Sequence, residues 1–220
     1  METPSVPQRG HWDRIYQERE DFFGAEPSDF GLRAAQVFGE AHAHAVLELG
    51  CGQGRDTLLF LQRGFAVTAL DYSKSAIQQL ARRAETLGLA GQLRSRTHDM
   101  RQPLPFRDGA FDACYSHMLF TMELTEEELR QAFGEVLRVL RPDGLNVYSV
   151  RNDHDPHFGK GTHRGEDMWQ NPMGFVVHFF TEEKVRRLAK GYELLRVGEF
   201  EDPSPPFTKK LYEVVLRKPK

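Results

Sequence analysis

Val46-Leu47-Glu48-Leu49-Gly50-Cys51-Gly52-Gln53-Gly54 is the stretch on which the reading of this chain turns. A compact apolar run over residues 45–49 enters three glycines at alternate positions, and a helical stripe follows over 57–63. Short apolar runs bounded by glycine read as buried strands. Glycines at such a bend let the backbone turn tightly and lie against a ligand with no Cβ in the way. The start of the next helix offers unpaired N–H groups. A generic strand-to-helix turn has the same look, so Gly-x-Gly alone does not decide between ligand and plain turn.

The flanking residues narrow the choice. Counted from Gly50, a dinucleotide fingerprint needs a small residue where this chain has Arg55, and it sets a pyrophosphate on the helix start. Glu48 before the turn and Asp56 after it would repel a pyrophosphate and suit a ligand with a cationic end. No Gly-Lys-Ser/Thr follows, so the P-loop pattern is absent.

Outward from this turn, apolar runs and helical stripes alternate. The runs 66–70, 93–97, 111–115, 145–150, 192–199 and 211–216 read as further strands, which makes seven with 45–49. Residues 11–21 read as a helix with Trp12, Ile15 and Tyr16 on one face. Ser28 caps a second helix with Phe30, Leu32, Ala35 and Phe38 facing inward, and Ser73 caps a third to about residue 87. Thr125 with Glu128 forms a capping box for a helix to residue 140. Pro142-Asp143-Gly144 is a turn, and Thr181 opens a short helix over 182–190. Pro203, Pro205 and Pro206 fall in the turn between the last two strands.

This alternation predicts a Rossmann-like α/β fold: a mostly parallel seven-stranded sheet, helices on both faces and an antiparallel C-terminal edge pair. One domain over 1–220 is expected. It divides into an N-terminal helical cap (1–44), a core (45–150), a lid or loop (151–180), and a C-terminal helix with edge strands (181–220). Ligands of such sheets bind beyond the carboxyl ends of the strands.

Composition bounds the function. Lys and Arg number 29 against 32 Asp and Glu, a net charge of −3, which does not advertise a nucleic-acid or anionic-membrane partner. The two cysteines, Cys51 and Cys114, exclude a disulfide framework and a four-cysteine zinc site. Residues 1–10 lack the apolar stretch of a secretory signal, and no run nears 18 apolar residues, so the expected setting is the cytoplasm. His154-Asp155-Pro156-His157 fixes no metal geometry, and no metal is expected.

Two further positions carry ligand chemistry. Asp71 ends the second strand, where an acid can accept from both hydroxyls of a ribose, and Tyr72 can pack on an adenine. Capping of the helix at Ser73 is the competing role for Asp71. Asp99, in His98-Asp99-Met100, can accept from an exocyclic amine.

These motifs together resemble the class I S-adenosylmethionine-dependent methyltransferases. The resemblance rests on Glu48 to Gly54, Asp71, Asp99-Met100, Phe111-Asp112-Ala113-Cys114-Tyr115 and Leu137-Arg138-Val139-Leu140-Arg141-Pro142-Asp143-Gly144, in that order. Trp12-Asp13-Arg14-Ile15-Tyr16 looks like the opening helix of small-molecule members. His178-Phe179-Phe180-Thr181 is similar to the tellurite-resistance and thiopurine methyltransferase-like branch.

The resemblance implies S-adenosyl-L-methionine as cofactor. Gly50, Cys51, Gly52 and Gly54 would pass under its methionine part, whose cationic amino group agrees with Glu48 and Asp56. Asp71 would hold the ribose, with Tyr72 beside the adenine that Asp99 and Met100 read. Ser116 and His117, just after the fourth strand, would face the sulfonium and the substrate entrance. Tyr16 would close over the methionine carboxylate. Arg151, Trp169, His117 and His178 would line the substrate side, together with His154, His157, His163 and Arg164 of the lid.

No catalytic residue is obligatory, because the cofactor carries an activated leaving group. If a base is used, His117 and His178 are the candidates. Tyr115-Ser116-His117-Met118 is not the Asn/Asp-Pro-Pro-aromatic segment of base amino methylation, and neither cysteine is placed for cytosine carbon methylation. The expected acceptor is a small molecule, with no nucleic acid and no membrane, and the expected state is a monomer or homodimer. A cofactor-binding protein without transferase activity and an NAD-dependent dehydrogenase-like protein stay open as alternatives.

Overall fold

The computed structural model describes residues 8–204 and 207–220. Residues 1–7 of the expected cap, and Pro205 and Pro206 of the expected turn, lie outside them. In chain order the helices are α1 (Gln8–Glu18), α2 (Asp29–Glu40), α3 (Arg55–Gln62), α4 (Lys74–Thr86), α5 (Glu126–Val139) and α6 (Glu182–Leu188). The strands are β1 (Ala45–Leu49), β2 (Ala66–Asp71), β3 (Leu93–Thr97), β4 (Phe111–His117), β5 (Leu140–Arg151), β6 (Thr162–His163), β7 (Met168–Gln170), β8 (Val176–His178), β9 (Glu193–Ser204) and β10 (Phe207–Arg217).

The main sheet has seven strands in the order β3-β2-β1-β4-β5-β10-β9. β1 to β5 pair in parallel, and β10 runs antiparallel to both β5 and β9. The order reverses between β1 and β4, the switch point at which such sheets bind ligands. β1, β2, β4 and β5 are apolar on both faces because helices cover both. Phe30, Phe38, Leu58 and Leu80 pack one face, and Leu129, Phe133, Val136 and Val185 pack the other. The α5 set recurs at helical spacing, which is why this segment presents one face to the sheet. Its capping box forms as expected: the Thr125 side chain accepts from Glu128 N, and the Glu128 carboxylate accepts from Thr125 N.

Five expectations need correction. Pro203, expected in the turn before the last strand, lies within β9 opposite Thr208 of β10. Leu32 faces outward and is 42% exposed, because the buried stripe of α2 is Phe30, Ala34, Ala35 and Phe38. β4 runs on to His117, so Ser116 and His117 are strand residues, held in register with Tyr148 and Ser149 of β5. Pro142-Asp143-Gly144 bulges within β5, with Asp143 at φ 64°, and does not precede the strand. The segment expected as a lid or loop over 151–180 contains a second sheet, β6-β7-β8.

Candidate functional site: the glycine turn and its cleft

Gly50, Gly52 and Gly54 have φ of 71°, 51° and 85°. These angles belong to the left-handed region that glycine enters without steric cost. The turn is fastened to the end of β2. Gly50 N and Cys51 N donate to Leu70 O at 2.8 and 3.0 Å, and Gly52 N donates to Asp71 Oδ2 at 2.9 Å. Asp71 Oδ1 also accepts from Ser73 N at 2.8 Å. Burial raises the Asp71 carboxyl above its usual range, and the N–H groups of Ser73 and Gly52 pull the other way. Asp71 therefore shapes the turn and stands at the cleft; its expected competitor, the cap of α4, is Ser73, which accepts from Ala76 N.

A cleft opens beyond the carboxyl ends of β1, β2 and β3. Gly50, Asp71, Tyr72, Asp99 and Met100 line it, all five picked from the sequence. Trp12 and Leu119 line it too, and sequence reasoning left both outside the site. Trp12 carried a usable signal, since it lies four residues before Tyr16 on one helix face. Leu119 belongs to a 3₁₀ turn after Met118, whose φ is 58°. A Cβ on Gly50 would come within 3.0 Å of Leu119, so the turn and the segment after β4 touch only because residue 50 is glycine.

Other expected residues stand around the cleft. Tyr16 is buried over the turn, its hydroxyl 3.0 Å from where a Cβ on Gly52 would lie. Burial first, and Asp71 second, raise its phenol well above the usual range, so it stays protonated. Glu48 is buried beneath the turn and accepts from Thr57 Oγ1 at 2.6 Å. Burial holds its carboxyl well above the usual range, with Asp56 and Asp71 adding to the rise. Cys51 is buried, and burial raises its thiol as well. Ser116 is buried on the sheet face opposite His117, and its hydroxyl has no hydrogen-bond partner among the described residues.

Several expected residues are committed elsewhere. Asp56 accepts from Ser28 N and Ser28 Oγ, each at 2.8 Å, and from Tyr115 OH at 2.7 Å. It ties the cap of α2 to β4, and it does not line the cleft. Arg151 grips Asp155 through Nε at 2.9 Å and Nη2 at 2.5 Å, with its guanidinium over the Phe179 ring. Trp169, on β7, packs on His163. His178 is fully buried; its Nδ1 lies 2.6 Å from Leu124 O and its Nε2 2.7 Å from Lys184 Nζ. Both ring nitrogens are thus engaged. Burial, then the Lys184 ammonium, push its pKa down to about 4. No substrate proton has a route to either nitrogen, so this geometry removes His178 as a base.

The turn between β7 and β8 meets α1 through Phe175. Phe175 lies 5.3 Å from the Trp12 ring and 4.4 Å from His11, centroid to centroid. Trp12 also stacks with Tyr16 and packs on Phe22 and Phe23. Segment 151–180 and α1 therefore meet as one aromatic cover.

Comparison with known proteins decides the family. A model described as a methyltransferase domain matches residues 46–144, from β1 to the bulge in β5. Those residues are a class I methyltransferase domain. The malonyl-[acyl-carrier protein] O-methyltransferase of Salmonella typhimurium is 32% identical over 107 residues, which cover 48% of this chain and 38% of that protein. The chain spans less than half the length of the curated relatives it matches.

Solved methyltransferase structures share the fold. The 1,6-didemethyltoxoflavin-N1-methyltransferase of Burkholderia thailandensis, solved with 1,6-didemethyltoxoflavin and S-adenosylhomocysteine, superposes with a TM-score of 0.74 at 19% identity, covering 100% of this chain and 94% of that one. TehB of Haemophilus influenzae superposes at 0.65 with 21% identity, covering 86% of this chain and 61% of that one. At these identities the likeness establishes the fold. Thus the methyltransferase domain supplies the glycine turn and the cleft, while α1, segment 151–180 and the antiparallel strand pair complete the fold outside the matched stretch.

Proposed function

We propose that the chain is an S-adenosylmethionine-dependent methyltransferase that acts on a small molecule. One observation carries the reading. The glycine turn, Asp71 and the Asp99-Met100 pair border a single cleft at the switch point of the sheet. The residues fit the cofactor chemically: two acids for hydroxyl and amine donors, and a turn that any Cβ would fill. Trp12 Nε1 is also buried there with no partner among the described residues.

S-adenosylmethionine, when bound, brings a methyl group on an activated leaving group. The protein's share is position and dryness. Asp71 would orient the sugar, Asp99 and Met100 would meet the base, and the glycine turn would receive the amino-acid end. Trp12, Tyr16 and Phe175 exclude water from above. The small-molecule acceptor is supported by the aromatic cover and by the balanced charge. Among the described residues no helix is long and apolar enough to cross a membrane.

Calorimetry with S-adenosylmethionine and with NAD tests the cofactor. A screen of thiols, amines, phenols and chalcogen oxyanions, read as S-adenosylhomocysteine formed, tests the reaction. NAD binding without S-adenosylmethionine binding would overturn the proposal. Cofactor binding without turnover across the screen would point to a binding protein.

A further inference from the structure

Two loops wall the cleft on opposite sides. One follows β3 and carries Met100 and Arg101; the other follows β4 and carries Leu119, Met122 and Glu123. β3 and β4 are not neighbours in the sheet, because β2 and β1 stand between them. Their ends are thus roughly 14 Å apart, three strand spacings of about 4.8 Å. Strand pairing alone does not fix how closely the two loops approach.

Arg101 bridges them. Its Nη2 donates to Glu123 O at 2.9 Å, and its Nε donates to Glu128 Oε1 of α5 at 3.0 Å. The near end is held on the β3 side, where Arg101 N donates to Asp99 Oδ1 at 3.0 Å and Nη1 lies 3.7 Å from the same oxygen. The far end is held too, since Glu128 Oε2 accepts from Thr125 N at 2.7 Å in the capping box of α5. A guanidinium suits such a bridge: its planar fork serves two acceptors from fixed directions and stays charged.

The pair adds little to stability, because Arg101 and Glu128 are 39% and 28% exposed and solvent screens them. Spacing is what the bridge sets. Met100, Leu119 and Met122 make the cleft apolar between the loops, as a flat ring requires, and thioethers gain from ring contact. Dispersion contact is sensitive to spacing: a gap of about 0.5–1 Å forfeits a quarter to a half of it.

We infer that Arg101 is a positioning residue, a crossbar that sets the spacing of the two loops and with it the hold of the cleft on the base of the cofactor. The inference rests on the proposed methyltransferase reading and deepens it.

Titration calorimetry of the full chain with S-adenosylmethionine tests the crossbar through a double-mutant cycle. Arg101→Met keeps the stem and removes the fork. Glu128→Gln removes the charge at the far end, keeps an oxygen for the capping box, and changes a residue outside the cleft lining. R101M is expected to weaken binding roughly tenfold and E128Q about threefold, the scale of lost hydrogen bonds to charged groups. The double variant is expected to be no weaker than R101M, since both changes break one bridge. Wild-type affinity in E128Q, or two losses that multiply, overturns the crossbar. Lysine keeps the charge without the fork, so R101K is expected to stay near R101M; wild-type affinity in R101K overturns it as well.

Two readouts separate positioning from loss of fold. The melting point of R101M is expected within about 4 °C of wild type, the scale for a surface ion pair in a chain of this size. With a screened compound that turns over, R101M is expected to raise KM for S-adenosylmethionine and to hold kcat at saturating cofactor within about twofold. A kcat loss as large as the KM rise, or a larger fall in melting point, overturns the inference.

Hydrogen exchange of the chain without cofactor keeps this outcome apart from the cofactor reading. The amides of Gln102, Thr121 and Met122 bond within their own loops, to Asp99 O, Met118 O and Leu119 O. R101M is expected to quicken all three while the amides of β1 and β4 keep their rates. Unchanged exchange in the loops overturns the crossbar. A wild-type chain that binds no S-adenosylmethionine but shows this exchange pattern keeps the bridge and overturns the methyltransferase reading.

Discussion

The carboxylate of Asp71 accepts the backbone N–H of Gly52 at 2.9 Å, so the end of β2 and the glycine turn after β1 form one unit. Asp71→Ala removes this tie and the bond from Ser73 N together. Cofactor affinity is expected to fall by about 1.5–3 kcal/mol, the scale for lost charge-assisted hydrogen bonds. Asp71→Asn is expected to be no gentler, because its amide NH₂ would face one of two N–H donors. Titration calorimetry with S-adenosylmethionine, with a melting curve as the folding control, checks both. Unchanged affinity in a folded variant would remove Asp71 from the site.

Asp56 is expected to behave oppositely. Its three hydrogen bonds join Ser28 to Tyr115 in the interior, away from the cleft. Tyr115→Phe removes one donor to a carboxylate and is expected to cost about 1.5–3 kcal/mol of stability. Asp56→Ala strands all three donors and is expected to cost more. Cofactor affinity of the folded fraction should stay near wild type. Denaturant unfolding and calorimetry separate the two readouts, and a large affinity loss in Y115F would return Asp56 to the cofactor site.

The contrast between Asp71 and Asp56 shows what the sequence made legible. Strand and helix alternation, four side-chain caps and the glycine turn are local patterns, and each formed where the residues indicated. Asp56 and Glu48 looked alike because both are acids beside the turn. Only the tertiary position of Ser28 and Tyr115 separates the inward tie from the acid beneath the turn. His178 reads as a titratable base until Leu124 and Lys184, 54 and 6 residues away, occupy its two nitrogens. The strands of 151–180 are two or three residues long, too short for periodicity to reveal them.

Arg151 is expected to be a structural tie where the sequence suggested a substrate contact. Its partner Asp155 also accepts from His157 N and Lys210 N, so this pair joins segment 151–180 to β10. Burial alone would raise the Asp155 carboxyl; the Arg151 guanidinium and these N–H groups outweigh it and hold it low. Arg151→Met leaves a buried carboxylate without its cation and is expected to cost about 3–5 kcal/mol. Hydrogen exchange should quicken at residues 155–158 before it quickens in β1 or β4. A variant as stable as wild type but unable to bind an acceptor would restore the substrate role.

His178 sets a pH dependence whose sign can be worked out. Its folded pKa of about 4 lies below the ordinary 6.5, so the unfolded chain takes up the proton first. The contribution is complete above pH 6.5 and is lost as pH falls toward 4. At 1.36 kcal/mol per pKa unit it amounts to at most about 3 kcal/mol. Glu48 and Asp71, whose pKa values are raised, slope the other way, but they are shared by wild type and variant and cancel in the difference. His178→Asn keeps a donor for Leu124 O and cannot charge. It should be less stable than wild type at pH 7, and the gap should narrow as pH falls to 4. A gap that stays constant from pH 7 to pH 4, measured by urea unfolding, would mean that the imidazole is not held neutral.

Gly54 and Gly64 separate backbone strain from packing at the turn. Their φ values are 85° and 86°, so alanine meets the same left-handed penalty at both, about 1–2 kcal/mol. The surroundings differ. A Cβ at residue 64 meets nothing within 4 Å, whereas at residue 54 it would lie 2.3 Å from Leu80 Cδ1. Leu80 is fully buried in α4, so it cannot step aside without disturbing the core. Overpacking adds about 1–3 kcal/mol at residue 54. Gly54→Ala should therefore lose more stability than Gly64→Ala by that margin. It should also lose cofactor affinity, since α3 would be pushed off the turn. Equal melting points for the two variants would show that α4 yields freely, and the turn would then owe its glycine at 54 to backbone conformation alone.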